Sequence, residues 1–101
     1  MFIIISYDIQ DDRRRTKIMK TLKDYGQWVQ YSVFECKLEK MNYLKMKARL
    51  DKLICPEEDS VRFYFLCEKD VARIERLGGV QPLSEGAILL GFDSEVPDEA
   101  N

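Results

Sequence analysis

No histidine occurs among the 101 residues of this chain. That single absence removes the commonest general base and every Ser-His or Cys-His nucleophile pair. Cysteine is scarce as well: Cys36, Cys55 and Cys67 are far apart and form no Cys-x-x-Cys pair. Without imidazole or closely spaced sulfur, a zinc site of the usual kind is excluded. The three thiols read instead as small buried apolar side chains in a reducing compartment. No glycine-rich phosphate loop is present, so a nucleoside triphosphate site has no support. Apolar runs stop well short of the roughly eighteen residues that a membrane span needs. The first apolar stretch is short and has no basic segment before it, unlike a signal peptide, so the expected location is the cytoplasm. Any hydrolysis is expected to run on carboxylates and a hard metal ion.

What is present suits one soluble domain. Hydrophobic residues make up 46% of the chain and charged ones 34%, which is ordinary for a globular protein small enough to gain from a partner subunit. The net charge of −2 conceals an uneven distribution. Residues 1–55 hold 12 Lys and Arg against 7 Asp and Glu, a balance of +5. Residues 56–101 hold 4 against 11, a balance of −7. The basic half can present a local phosphate-binding face.

Phe2 to Asp8 is expected as a central strand, rich in isoleucine and apolar on both alternating sides. Asp11 or Asp12 suits the N-cap of a helix running to Tyr25. Ile18, Leu22 and Tyr25 form its apolar stripe and Gly26 its stop. Trp28 to Leu38 (WVQYSVFECKL) is dense in β-formers and fits one long strand, or two short ones folded at Gln30-Tyr31-Ser32. A second helix over about Met41 to Cys55 puts Tyr43, Leu50, Leu53 and Ile54 on its core side and ends before Pro56. Val61, Phe63, Phe65 and Cys67 alternate with Arg62, Tyr64 and Glu68, the pattern of a half-buried strand. A helical turn around Val71 to Leu77 ends at Gly78-Gly79, and Ala87 to Phe92 (AILLGF) is a last apolar strand. Residues 93–101 read as an acidic flexible tail.

With the 28–38 segment folded as a hairpin, the order becomes βαββαβ. That is the ferredoxin-like α+β pattern, here one domain over residues 1–92 with both helices on one face of an antiparallel sheet. The bare opposite face and the extra C-terminal strand both point to a dimer.

Asp8 closes the first strand. It is either a turn residue that tidies the entry to the first helix, or a ligand for Mg2+ or Mn2+, which prefer oxygen donors. One carboxylate per chain is a poor metal site. Two Asp8 side chains across a dimer axis would repel each other until a divalent ion lay between them, and such an ion polarises a phosphodiester. Arg13, Arg14, Arg15, Lys17, Lys20 and Lys23 follow. They form either the solvated face opposite the apolar stripe or a row that holds a nucleic-acid backbone without reading its sequence. Tyr7, Trp28, Tyr31 and Phe34 are candidates for stacking on bases, or else core or interface residues. Gln30 and Ser32 either contact phosphate or satisfy the hairpin backbone.

The YDI of Tyr7 to Ile9, the DDRRR that follows with Lys17, and the Tyr25-Gly26 pair are three parts of a longer pattern. With VQYSVFEC from Val29 to Cys36 and EDSVRFYFL from Glu58 to Leu66, they resemble the CRISPR-associated Cas2 family over roughly residues 1 to 92. The resemblance implies a ferredoxin-like homodimer whose C-terminal strand reaches onto the partner's sheet. It also implies a metal-dependent endonuclease acting on RNA or DNA, centred on Asp8 with Mg2+ or Mn2+. Service beside the Cas1 integrase in spacer acquisition and antiviral defence is implied too, with the dimer bridging prespacer DNA. By position, Asp8 is then the catalytic metal ligand, and Arg14, Arg15 and Lys17, with Arg13 beside them, meet phosphate. Ser32 and Phe34, near Tyr7 and Gln30, lie beside the cleft or dimer seam. The chain departs from the family at Trp28, where a basic residue commonly stands, so no phosphate contact carries over to that position. The alternative is a dimeric scaffold that holds duplex DNA for the integrase without cutting it.

AILLGF is too apolar to lie exposed and has no place in a four-stranded core. Truncation after Glu85 is therefore expected to leave monomer or aggregate in light scattering. A truncated chain that stays a well-behaved dimer would overturn the strand-exchange expectation.

Overall fold

The computed structural model describes residues 1–79; the expected strand at Ala87 to Phe92 and the tail over 93–101 lie outside them. The chain forms β1 (Phe2–Asp8), α1 (Asp12–Lys23), β2 (Gln27–Gln30), β3 (Val33–Lys37), α2 (Lys40–Leu53) and β4 (Ser60–Leu66), then a one-turn helix α3 (Glu68–Val71). The sheet order is β2-β3-β1-β4, with β1 antiparallel to both neighbours. β3 is thus inserted between β1 and β2, the split βαβ arrangement of a ferredoxin-like α+β fold. No described helix is long and apolar enough to cross a membrane.

Strand periodicity decides what each face of β1 does. Ile3, Ile5 and Tyr7 point to the helices, where they join Phe34 and Cys36 of β3, Ile18 and Leu22 of α1, and Met46 and Leu50 of α2 in one buried cluster. Burying each large aliphatic side chain contributes roughly 1.5–3 kcal/mol. Asp8 alternates onto the other face and is exposed. The α1 N-cap is Asp11, which has extended backbone and accepts a hydrogen bond from the Arg14 N–H at 2.9 Å. Asp12 in the first turn and Lys20 and Lys23 in the last match the helix dipole.

Several elements differ from their sequence pattern, each for a local reason. The buried stripe of α2 includes Met46, while Tyr43, Leu53 and Ile54 are only partly buried. β4 is an edge strand, so its alternation is incomplete: Val61 and Phe63 pack on the core, but Phe65 is 52% exposed and Cys67 lies outside. Tyr43 still meets Phe63 and Phe65 edge-on, at ring-centre distances of 5.7 and 5.2 Å. The helical turn comes at Glu68–Val71, ahead of the expected Val71 to Leu77. The sheet face away from the helices is not wholly bare, because Arg76 folds back to ion-pair with buried Glu35 of β3. Of the three thiols only Cys36 is buried.

Two backbone positions are constrained. A Cβ at Gly26 would stand 2.3 Å from the Cys36 Sγ and 2.4 Å from the Glu35 carbonyl oxygen, so only glycine lets the chain leave α1 against β3. At the other end, the 28–38 segment does form a hairpin, turning on Tyr31 and Ser32 with a register break between Trp28 and Gln30. Tyr31 has φ of 40°, a left-handed conformation that costs a residue bearing a side chain about 1 kcal/mol or more.

Gly26→Ala is expected to destabilise the fold by about 1–3 kcal/mol, lowering Tm by roughly 5–20 °C in calorimetry. Unchanged melting would mean that β3 yields to the methyl group.

Candidate functional site at the Asp8 end of the sheet

The topology gathers four features at one end of the sheet: the end of β1, the start of α1, the β2–β3 turn and the start of β4, where Ser60 is the register partner of Asp8. Asp8 arrives there on a strand hydrogen-bonded along both edges. Its carboxylate is exposed and accepts one hydrogen bond, from the Gln10 side chain at 3.3 Å. The residues just after it are clamped from both sides. The Ile9 carbonyl accepts two hydrogen bonds from the Arg15 guanidinium, at 3.2 Å from Nε and 3.0 Å from Nη2. The Gln10 N–H donates to the Asp59 carboxylate at 3.0 Å.

Asp59 is the centre of this bracing. Its side chain has no solvent exposure. It accepts from the Arg14 Nε at 2.8 Å, the Arg14 Nη2 at 3.2 Å, the Cys55 N–H at 2.8 Å and the Gln10 N–H. The Arg14 guanidinium beside it, helped by those two backbone N–H groups, holds its carboxyl well below the usual carboxylate range. Arg14 is held charged in turn, with Glu58 as its second acid at 2.9 Å. The Cys55 N–H lies just beyond the end of α2, so the same carboxylate also receives the chain as that helix finishes.

The candidate residues therefore divide. Arg14 and Arg15 are not a free phosphate-binding row: the first is committed to Asp59 and Glu58, the second to Ile9 and, at 2.6 Å, to Asp12. Arg13 and Lys17 stand exposed and join no ion pair among the described residues. Phe34, expected at the cleft or dimer seam, is fully buried in the core, because its register partner Ile5 also faces the helices. Tyr7 is buried too, tilted against Phe34 at 6.3 Å. Burial pushes the Tyr7 pKa up, opposed by the neighbouring Ser32 side chain and the Arg15 charge. Its backbone N–H donates to the Ser32 carbonyl at 3.0 Å, tying the hairpin turn to the residue before Asp8. Ser32 is half-buried there, and Gln30 is exposed at the end of β2.

Gln10 and Asp59 were absent from the sequence candidates. The available signal was an acid standing directly before a strand that pairs with β1.

For a hard divalent ion the donor type is right, since Asp8 offers exposed carboxylate oxygen. Among the described residues no three His, Cys, Asp or Glu side chains gather to hold a metal.

A ferredoxin-like sheet that delivers one braced, solvent-facing acid at the end of its central strand defines the class. The chain belongs to the family described as CRISPR associated protein Cas2, whose model matches residues 1–74. It is 46% identical over 86 residues to a CRISPR-associated endoribonuclease Cas2 of Synechocystis, covering 84% of this chain and 92% of that protein. Its fold is similar to the crystal structure of Streptococcus pyogenes Cas2, with a TM-score of 0.69 and 36% identity over 77% of this chain and all of the other. It is also similar to a chain of a partial Cas6-RT-Cas1–Cas2 complex, with a TM-score of 0.67 and 25% identity, over 82% of this chain and 95% of that one.

Asp59→Asn is expected to lower Tm at pH 7 by more than about 10 °C. The folded state binds the Asp59 proton less tightly than the unfolded chain does. Its stabilisation is therefore full above the ordinary carboxylate range near pH 4 and is lost as pH falls below it. In melts from pH 7 to pH 2, the gap between wild type and Asp59→Asn should narrow below about pH 4. A constant gap would mean that the charge of Asp59 contributes nothing.

Proposed function

We propose that this chain is a metal-dependent endoribonuclease that works as a homodimer in the cytoplasm, where its unpaired thiols stay reduced. Asp8 is its catalytic carboxylate and the holder of Mg2+ or Mn2+. The observation that carries this reading is that a buried, doubly paired strand ends in an exposed acid whose following residues are clamped by Arg15 and Asp59. Catalytic groups need this kind of rigid support. The endoribonuclease names of relatives such as the Synechocystis protein support the activity.

Asp8 of each of two chains would hold the ion, which supplies a water of lowered pKa and polarises the phosphodiester. Arg13 and Lys17 draw the nucleic-acid backbone to the rim by its charge, without reading sequence. Arg14 and Arg15 act on Asp8 from behind, by fixing the start of α1 and the Ile9 carbonyl. The same dimer serves spacer acquisition with the Cas1 integrase as partner, a role supported by the similarity to a chain of the Cas1–Cas2 complex. The similarity to a chain of the Cas1–Cas2 complex supports one second reading, in which the dimer holds duplex DNA for the integrase and cuts nothing.

Cleavage of RNA should stop with a chelator and return with Mg2+ or Mn2+. Asp8→Asn should abolish it with Tm almost unchanged, because the side chain is exposed. A mutant that cleaves at the wild-type rate would remove Asp8 from the mechanism. A wild type that never cleaves but binds duplex DNA and supports integration would establish the scaffold reading.

A further inference from the structure

The β2–β3 turn carries two aromatic side chains that the core does not use. Tyr31 is 90% exposed, and Trp28 is 43% exposed. They are coupled: the Trp28 indole N–H donates to the Tyr31 carbonyl at 2.8 Å, which fixes the indole against the turn. Tyr31 is also the one described non-glycine residue with positive φ, at 40°. A two-residue hairpin turn is best served there by Gly or Asn, so an aromatic ring at this place works against the turn. Backbone strain held at a solvent-facing tip suggests a use for the side chain.

We propose that Tyr31, with Trp28 beside it, is a stacking platform for an unpaired nucleobase of the bound strand. The inference rests on the nucleic-acid reading above and deepens it by naming a base-binding position away from Asp8. The ring is flanked by Gln30 and Ser32, not by apolar residues, so the tip is no greasy docking patch. A solvent-facing aromatic ring with polar neighbours in the chain suits a base, whose own π-face is free only when it is unpaired. The setting suits a polyanion as well, since exposed Arg13 and Lys17 lie in α1, whose N-terminus is at the same end of the sheet. The backbone bond between Tyr7 and Ser32 fixes the turn to the strand that ends on Asp8. A base stacked at the tip would therefore place its strand beside the carboxylate.

Trp28 is the only tryptophan of the chain, so its emission reports on the tip directly. A single-stranded RNA oligonucleotide should quench it, while the same sequence in a duplex, or inorganic phosphate, should not. Tyr31→Gly should melt at the wild-type temperature or above, because the left-handed backbone no longer carries a side chain. It should bind the single strand about tenfold more weakly, with duplex binding unchanged. Tyr31→Phe should bind like wild type. The inference is overturned if single strand leaves Trp28 emission unchanged. It also fails if Tyr31→Gly and Tyr31→Asn both bind single strand as tightly as wild type, as they would if the tip served a protein partner. Equal loss of single-strand and duplex binding overturns it too, by making the tip a general backbone contact. If the wild type binds neither form, the nucleic-acid reading itself falls, a result distinct from these.

Discussion

A single buried carboxylate holds this molecule's working end together. Removing an ionised acid from water is expensive unless its lone pairs are met. Asp59 meets that condition with both forks of Arg14 and the N–H groups of Gln10 and Cys55. Those donors come from the connection after β1, from α1 and from the connection after α2. No other described hydrogen-bond acceptor joins all three. The acid therefore ties together the start of the first helix, the end of the second and the beginning of β4. Asp8 needs no second carboxylate of its own chain to be well placed, because its position is inherited from this knot.

The run of three arginines takes its meaning from the same knot. Counted as charge, they suggest a broad positive face; examined as side chains, they perform different work. Arg14 neutralises a buried acid, Arg15 braces a carbonyl, and Arg13 is exposed and joins no ion pair among the described residues. Much of the field of the first two is cancelled locally by Asp59, Glu58 and Asp12. The surplus of basic residues in the first half of the chain thus overstates the attraction that a phosphate would feel at the rim.

Legibility in the sequence followed the range of the interaction concerned. β1 and α1 were readable because their signals are local: an isoleucine run, an aspartate cap and a stripe at Ile18 and Leu22. The hairpin was ambiguous because Tyr31-Ser32 lacks the Gly or Asn that announces a tight turn. The resemblance places Phe34 beside the cleft or dimer seam, whereas its register partner Ile5 turns it into the core. Asp8 was recognisable from its place at the end of an apolar run. The partner of Arg14 was not, since 45 residues separate it from Asp59 and no periodicity connects them. Met46 escaped notice because an unbranched side chain fills gaps without the regular spacing of a leucine stripe.

The contact between Gly26 and Cys36 has a consequence for how opening of the molecule becomes visible. The Cys36 thiol has no exposure, and burial pushes its pKa up to about 12, so it offers almost no thiolate while the sheet and helices stay together. Cys67, at the end of β4, is open to solvent. An alkylating reagent thus finds Cys67 at once and Cys36 only when β3 parts from the end of α1. The delay between the two modifications is a clock, and what it times is the rare breathing of the core rather than its average structure.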